Sequence, residues 1–590
     1  MENLICYDPL LFKLPKGTVE KNKKVKFSLK CEDADVKRAL FFVKSDNEQN
    51  YTMVEMKKKS DKFECEFLFE NAGHFWYHFK VIKENQTFFV SKTYDNFSVV
   101  SESKGDDFFQ LVTKEKYNIN GSMQGGIIYQ IFVDRFARVG NPTTRNPLVL
   151  RDDWGGKIKK NTTNPIKINE EVFGGNFKGI ISKLDYLEDL GVTTIYLSPI
   201  CEAHSNHKYD TADYMKIDPM YGTEEDFCEL VQKAKQKGIG IVLDGVYNHT
   251  GSDSIYFNKN GRYAEKGAYQ GTDSKYYEWY EFENYPNKYA SWWGIETLPS
   301  IKDNSESFQN FIAGKNGVLE KYLKTGIKGV RLDVVDEIVD DFVTKISNKV
   351  KEFGNDKVIM GEVWEDASTK IAYSKRRTYF SNNELNSIMN YPIKETIIQF
   401  VKTGDSSSLV STIRMLQNNY PEAVQHNLMN FLTTHDTGRV FSELKNACEG
   451  DEQKTKQLLK IATALLFTMT GVPSIFYGDE YGMQNNDESS RGCFDWKNYQ
   501  NDIFEWYKKL TTIRKQKVFE NGELNILYSQ NGKFVFERIS ENERVIVVAN
   551  VSNEPLNINF HGKFVSCLTQ KTLKETTISS FDVEIIKEIK

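Results

Sequence analysis

Gly329-Val330-Arg331-Leu332-Asp333-Val334-Val335-Asp336-Glu337 is an apolar run broken by an arginine and a carboxylate two residues apart. With Ile327 ahead of it, the run reads as a buried strand. Residues at i and i+2 of a strand share a face, so Arg331 and Asp333 point the same way. Charges on a buried face are costly unless they are paired or serve a function. A structural ion pair explains this stretch, taken alone, as well as a reaction centre does.

Three further stretches repeat the design. Ile241-Val242-Leu243-Asp244-Gly245-Val246-Tyr247-Asn248-His249, Val358-Ile359-Met360-Gly361-Glu362-Val363-Trp364 and Phe431-Leu432-Thr433-Thr434-His435-Asp436 each run apolar and then deliver polar residues. Polar residues at the C-terminal ends of several strands are the layout of a barrel active site. The whole set of such runs is eight: Ile127 to Val133, Val192 to Leu197, Ile239 to Val246, Ile327 to Val335, Val358 to Val363, Ser387 to Asn390, Asn427 to Thr433 and Val472 to Tyr477. Amphipathic stretches such as Gly179 to Leu190 and Glu224 to Lys237 lie between them. The alternation predicts an α/β fold, a (β/α)8 TIM barrel over residues 120–515. The interval between the third and fourth strands is too long for one helix. Its Tyr-, Trp-, Gly- and Asn-rich stretch, Ser252 to Ile301, reads as a segment inserted over about 250–305 that carries binding residues on loops.

The flanks read as β. Over residues 1–115, Val25 to Leu29 and Phe63 to Phe67 alternate, and His74 to Val81 follows the turn signal Asn71-Ala72-Gly73, which predicts an N-terminal β-sandwich. Trp76 there reads as core more readily than as a sugar platform. Residues 516–590 contain Phe534-Val535-Phe536, Val545 to Val548 and Leu556 to Phe560, which predict a small C-terminal β-sandwich.

Composition narrows the function. At 590 residues with 39% hydrophobic and 27% charged residues, this is a multidomain globular chain. A formal net charge of −5 gives no electrostatic case for nucleic acid or an anionic membrane. The longest apolar run, Ile461 to Met469, falls far short of the ~20 residues of a membrane helix. The 8 cysteines show neither a CxxC pair nor zinc spacing, so reduced thiols are expected. Met1 to Pro9 shows no basic region leading into an apolar core, and a cytoplasmic location is expected.

The segments DGVYNH (244–249), GVRLDVVDE (329–337), GEVW (361–364) and FLTTHD (431–436) resemble the four signature regions of glycoside hydrolase family 13, the α-amylase family. IIYQIFVDRF (127–136), SNHKYDTADY (205–214), TLPSIK (297–302) and VPSIFYGDE (472–480) extend the resemblance over most of residues 125–495. Leu298-Pro299, NHKYDTADY and an N-terminal β-domain are similar to the neopullulanase and cyclomaltodextrinase branch.

The resemblance implies roles. Asp333 is the nucleophile, Glu362 the general acid/base and Asp436 the third carboxylate. His249 and His435 hydrogen-bond sugar hydroxyls on the non-reducing side of the cut. Tyr209 stacks under that sugar, Asp210 supports the contacts and Arg331 sits beside the nucleophile. Trp364, Glu337 and Arg491 belong to neighbouring subsites. No metal ligands are assigned, and protein carboxylates suffice for the chemistry. Any calcium ion would be structural, and the loop Gly140 to Asn146 is poor in acids for holding one. The branch also leaves room for a homodimer paired through the N-terminal domain.

Acetal cleavage needs one protonated and one ionised carboxyl. Arg331 beside Asp333 is a reason for that group to stay anionic. Gly361, Val363 and Trp364 around Glu362 suggest a less polar setting that favours its acid form. The expected activity is retaining hydrolysis of α-1,4 bonds in maltooligosaccharides, cyclodextrins, pullulan or starch fragments. The alternatives are a glucanotransferase on the same fold and, against the intact carboxylate trio, an inactive glucan-binding protein.

Overall fold

The computed structural model describes residues 4–589 except 85, 94–96, 106, 117–121, 159–168, 303 and 487–488. All eight expected runs form strands: β1 (Ile128–Ile131), β2 (Thr194–Leu197), β3 (Gly240–Gly245), β4 (Gly329–Leu332), β5 (Val358–Gly361), β6 (Ser387–Ile388), β7 (Met429–Asn430) and β8 (Val472–Phe476). They pair in parallel in the order β6-β5-β4-β3-β2-β1-β8-β7. The parallel bridge between Met389 and Met429 and the Asn390 N–H to Met429 carbonyl bond (2.9 Å) close β6 onto β7. Alternate residues fill the interior: Ile128, Tyr196, Val242, Met360 and Val472 form the inner cluster, while Tyr129, Ile241, Leu243 and Ile359 face the surrounding helices. The helix Glu224–Gln236 shows why these stretches coil. Thr223 and Asp226 cap it reciprocally, and Phe227, Leu230, Val231 and Ala234 turn one buried stripe to the barrel.

The strands end earlier than the apolar runs suggest. The run from Ile327 to Val335 leaves the sheet after Leu332. Val334 is left-handed (φ 39°, ψ 56°), a costly conformation for a β-branched residue, and Val335–Glu337 follows as a tight turn.

N-terminal strands Lys23–Cys31, Val36–Ser45, Thr52–Lys59, Lys62–Phe69, Gly73–Lys83 and Phe109–Lys114 form one antiparallel path. It folds over itself through Thr52–Lys59, which pairs with Val36–Ser45 on one side and Lys62–Phe69 on the other. Val25, Phe27, Leu29 and Cys31 alternate into the shared core, where the rings of Phe27 and Phe41 stack at 4.3 Å. Trp76 is not core. It is half-buried on the outer face, donates to Asp46 Oδ1 (2.9 Å) and lies under the Arg376 guanidinium of the barrel (5.6 Å), joining the two bodies.

The C-terminal region is a single six-stranded sheet spanning Glu523–Gln530 to Asp582–Ile589. Val545, Val547, Ala549 and Ile585 face the barrel core, and Ile546, Val548 and Ile586 face a small outer cluster. The sheet's inner layer is completed by the barrel helix Glu452–Thr468, which holds the apolar run Ile461 to Met469 except for its last residue. Among the described residues no helix is long and apolar enough to cross a membrane.

Candidate active site

The strand ends converge on one arginine. Asp244 of β3 is in register with Arg331 of β4, and the barrel places both side chains inward. Arg331 is fully buried. Its Nη1 donates to Asp244 Oδ1 and to Asp333 Oδ1, each at 2.7 Å, and its Nη2 lies 2.6 Å from Glu362 Oε2. Three buried carboxylates therefore surround one guanidinium. Burial pushes the Asp333 carboxyl well above the usual range; Arg331 opposes this, and Glu362 and Asp244 add to the push. Arg331 does bond Asp333, as its place on the same strand face predicts, but its guanidinium is divided among three carboxylates.

Glu362 also departs from expectation. Its setting is polar: besides Arg331, it accepts from the Val334 N–H (2.9 Å) and from Trp364 Nε1 (3.0 Å). The left-handed turn at Val334 aims that N–H at the carboxylate, so the strain beside Asp333 has a use. Gly361 leaves no room for a side chain, since an added Cβ would meet Leu385 Cδ1 at 2.6 Å and Val335 Cγ1 at 3.0 Å.

Asp436 lies across the mouth. His435 Nε2 is 3.0 Å from its Oδ2, and Arg491 Nη2 donates weakly to Oδ1 (3.4 Å) while Arg491 Nε holds the His435 carbonyl (2.9 Å). Burial raises the Asp436 carboxyl, but His435 and Arg491 together outweigh it and hold the group well below its ordinary value. Tyr209 lies parallel to the His435 ring at 5.2 Å, and its hydroxyl reaches Asp244 Oδ2 (2.7 Å) and His435 Nε2 (2.5 Å). Gln130 of β1 steadies His435 at Nδ1 (2.8 Å). His249 is buried, held neutral with its pKa brought down to about 4, and its Nε2 donates to the Tyr209 carbonyl (3.1 Å).

Asp333, Glu362, Asp436, Arg331, His435, Tyr209, Arg491 and Trp364 thus form one connected cluster, to which His249 is tied through the Tyr209 backbone. Asp210 supports it from outside: its oxygens accept from the His204 N–H and the Ser205 hydroxyl. Glu337 forms the far wall, accepting from Trp293 Nε1 (2.9 Å) and Asn248 Nδ2 (3.4 Å). Trp364 stacks on Tyr391 at 4.1 Å and is 48% exposed; Trp293 is 79% exposed. Asp244, Tyr196 and Gln130 received no role from the sequence. Asp244 stood at a strand end within a quoted segment and Gln130 was the one polar side chain in the apolar start of another, IIYQIFVDRF, which were their signals; Tyr196 lies inside an apolar run and gave none. Tyr196 donates to Asp244 Oδ2 (2.7 Å).

Asp218, the carboxylate beside loop 140–146, already meets Arg145 Nη2 (3.0 Å) and the fully buried Lys208 Nζ (2.9 Å). Among the described residues no group of three or more His, Cys, Asp or Glu is placed to hold a metal ion.

A family model described as the α-amylase catalytic domain matches residues 130–501. The chain belongs to the α-amylase family. It is 32% identical to a cyclomaltodextrinase of Thermoanaerobacter pseudethanolicus over 72% of this chain and 70% of that one. It is 31% identical to an amylopullulanase of Thermoanaerobacterium saccharolyticum over 95% of this chain, of which it spans 49%. The chain thus covers half or less of the length of the amylopullulanases it matches. Its fold is shared with the type III pullulan hydrolase of Thermococcus kodakarensis, with a TM-score of 0.71 at 24% identity, covering 99% of this chain and 100% of that one. In this α-amylase family member the four segments that resembled the signature regions all end at the barrel mouth.

Proposed function

We propose that this α-amylase family member is a retaining α-glucan hydrolase that cleaves α-1,4 bonds in maltooligosaccharides, cyclodextrins, pullulan or starch fragments by double displacement. The observation that carries the reading is the sharing of one guanidinium by Asp333 and Glu362. Two carboxyls on a single guanidinium lie close together, which favours the short separation of about 5–5.5 Å associated with retention. Asp333 attacks the anomeric carbon while Glu362 gives its proton to the departing glycosidic oxygen. Glu362 then takes a proton from water, which attacks the glycosyl ester and frees Asp333. For the first transfer, the Arg331–Glu362 contact must loosen as sugar enters, freeing Glu362 to act as the acid and leaving the guanidinium on Asp333. Asp436, ionised beside His435 and Arg491, accepts from sugar hydroxyls and stabilises positive charge on the ring. Nothing in this sequence of steps calls for a metal.

We also assign the chain to the cytoplasm. All eight cysteines are unpaired, as a reducing compartment would keep them, and a relative that is 32% identical is an intracellular maltogenic amylase of Bacillus subtilis. The activity is tested by product analysis over a panel of glucans with and without a sugar acceptor, following the anomer formed first by NMR. Release of α-anomers from α-1,4 substrates is expected. First-formed β-anomers would refute retention, and transfer products dominating at low acceptor concentration would make the chain a glucanotransferase.

A further inference from the structure

The left-handed Val334 (φ 39°, ψ 56°) beside the nucleophile needs an anchor, because a β-branched residue keeps that backbone only where its surroundings over-determine it. It is held from both sides. The Asp333 N–H ahead of it bonds the Gly245 carbonyl of β3 at 3.0 Å. Behind it, Asp336 is gripped by three side chains of the loop after β5. Lys370 Nζ lies 3.0 Å from Asp336 Oδ2, the Tyr379 hydroxyl donates to Oδ1 at 2.8 Å, and Arg377 Nη2 donates to the Asp336 carbonyl. Lys370 also bonds Glu365, a little past Glu362 in the chain, so its ammonium joins the turn after β4 to the loop after β5. Between these two anchors the Val334 N–H points at Glu362 Oε2 (2.9 Å). A donor fixed on Oε2 sets the rotation of the carboxyl about its last bond, and with it the direction in which Glu362 can offer a proton.

We propose that Asp336 is a positioning residue for the general acid: gripped by Lys370, Tyr379 and Arg377, it keeps Val334 left-handed and so keeps the Val334 N–H on Glu362. The part played by Glu362 rests on the function proposed above. Without the grip, Val334 relaxes toward a right-handed or extended backbone and its N–H turns away. Glu362 is then left to Arg331 and Trp364, with its carboxyl free to rotate. Substrates feel this unequally. Breaking a bond between two sugars needs the acid, whereas fluoride leaves without one. The ratio kcat/KM covers events up to the first bond cleavage, so it separates the acid step from the later work of Glu362 as a base.

The test compares the full chain carrying Asp336→Ala with the unaltered chain on maltotriose and on α-maltosyl fluoride. For maltotriose, kcat/KM is expected to fall about ten-fold or more, and for the fluoride to stay within about two-fold. In a Val334→Gly background, where left-handed backbone carries no Cβ penalty, Asp336→Ala should cost maltotriose less than about three-fold. Equal losses on both substrates would overturn the proposal, because Asp336 would then serve the nucleophile or the fold. So would no loss on either, or an undiminished loss in the Val334→Gly background. Asp336→Asn keeps the volume and an acceptor for Tyr379. It is expected to show the same selectivity in smaller measure, and it carries the test if the alanine variant does not fold. Failure of the unaltered chain to cleave maltotriose would refute the function proposed above, and this proposal with it, before any variant is read.

Discussion

Arg331 at the barrel mouth and the pair Arg514 and Arg538 at the C-terminal sheet are equally buried and do opposite things. Arg331 has more negative charge around it than it can neutralise. Arg514 and Arg538 meet no carboxylate among the described residues. Arg514 donates to the carbonyls of Phe467 (3.1 Å), Met469 (3.3 Å) and Gly471, and Arg538 to those of Thr468 (2.9 Å) and Gly522 (2.8 Å). These carbonyls lie around the C-terminus of the helix Glu452–Thr468, whose dipole favours a cation there. Burial, largely uncompensated, lowers the pKa of both guanidinium groups to about 9, whereas that of Arg331 is raised above its ordinary value. In this chain the buried arginine ringed by surplus carboxylates marks the reaction centre, and the pair that meets only carbonyls sews a helix end to a sheet.

The largest effect expected is at the mouth. Asp333→Asn or Glu362→Gln should lower kcat by at least ~10²–10⁴-fold with the melting temperature kept. Glu362→Gln should in addition accumulate a glycosyl-enzyme with an activated glycosyl fluoride, visible by mass spectrometry, because fluoride leaves without an acid. Near-wild-type kcat in either purified variant would break the assignment. Arg514→Met should do the reverse. It strips three buried carbonyls of donors at about 1–3 kcal/mol each, so the midpoint of urea unfolding should fall sharply. At 25 °C, kcat/KM of the folded fraction should stay within about two-fold; a loss as large as that of Asp333→Asn would erase the contrast between the two arginines.

Asp244→Asn tests the charge surplus itself. It removes a like charge beside Asp333 and releases Arg331 from one of its partners, and both changes lower the pKa of Asp333. The nucleophile is needed ionised, so activity is lost as pH falls through that pKa. The acidic limb of kcat/KM should move to lower pH by about one unit. An unmoved or upward-moving limb would show that Asp244 does not act on Asp333.

Fold and centre were legible to different depths. Eight parallel strands read as apolar runs because each is buried on both faces, and Arg331 and Asp333 were tied by the two-residue period of a strand. The contacts that set the chemistry cross between strands. Nothing in the spacing of Arg331 and Glu362 shows that one reaches the other, so the neighbours of Glu362 in sequence gave the wrong polarity. Trp76 failed for the same reason: its partner Arg376 lies 300 residues downstream. The alternating pattern of the C-terminal strands was clear, but that their second layer is a barrel helix was not.

The smallest effect concerns a residue that neither charge nor burial marks. Of the insert's aromatic residues, Tyr276, Trp279 and Tyr280 went into its core, while Trp293 stands 79% exposed. Its backbone is left-handed (φ 51°), which costs a bulky residue on the order of 1–3 kcal/mol. Trp292 stacks behind it at 5.1 Å and Glu337 accepts its Nε1–H, so the ring is fixed in advance as a flat face at the cleft. Stacking of a sugar there should be worth about 0.5–1.5 kcal/mol. Trp293→Asn, a residue tolerant of that backbone, should therefore raise KM for maltooligosaccharides roughly two- to ten-fold while the melting temperature changes little. Because the ring narrows the cleft as well as stacking, kcat/KM for amylose relative to short glucans, per cleavable bond, should rise in the same variant. An unchanged KM with a lowered melting temperature would make Trp293 a structural residue and leave the aromatic insert without a share in substrate choice.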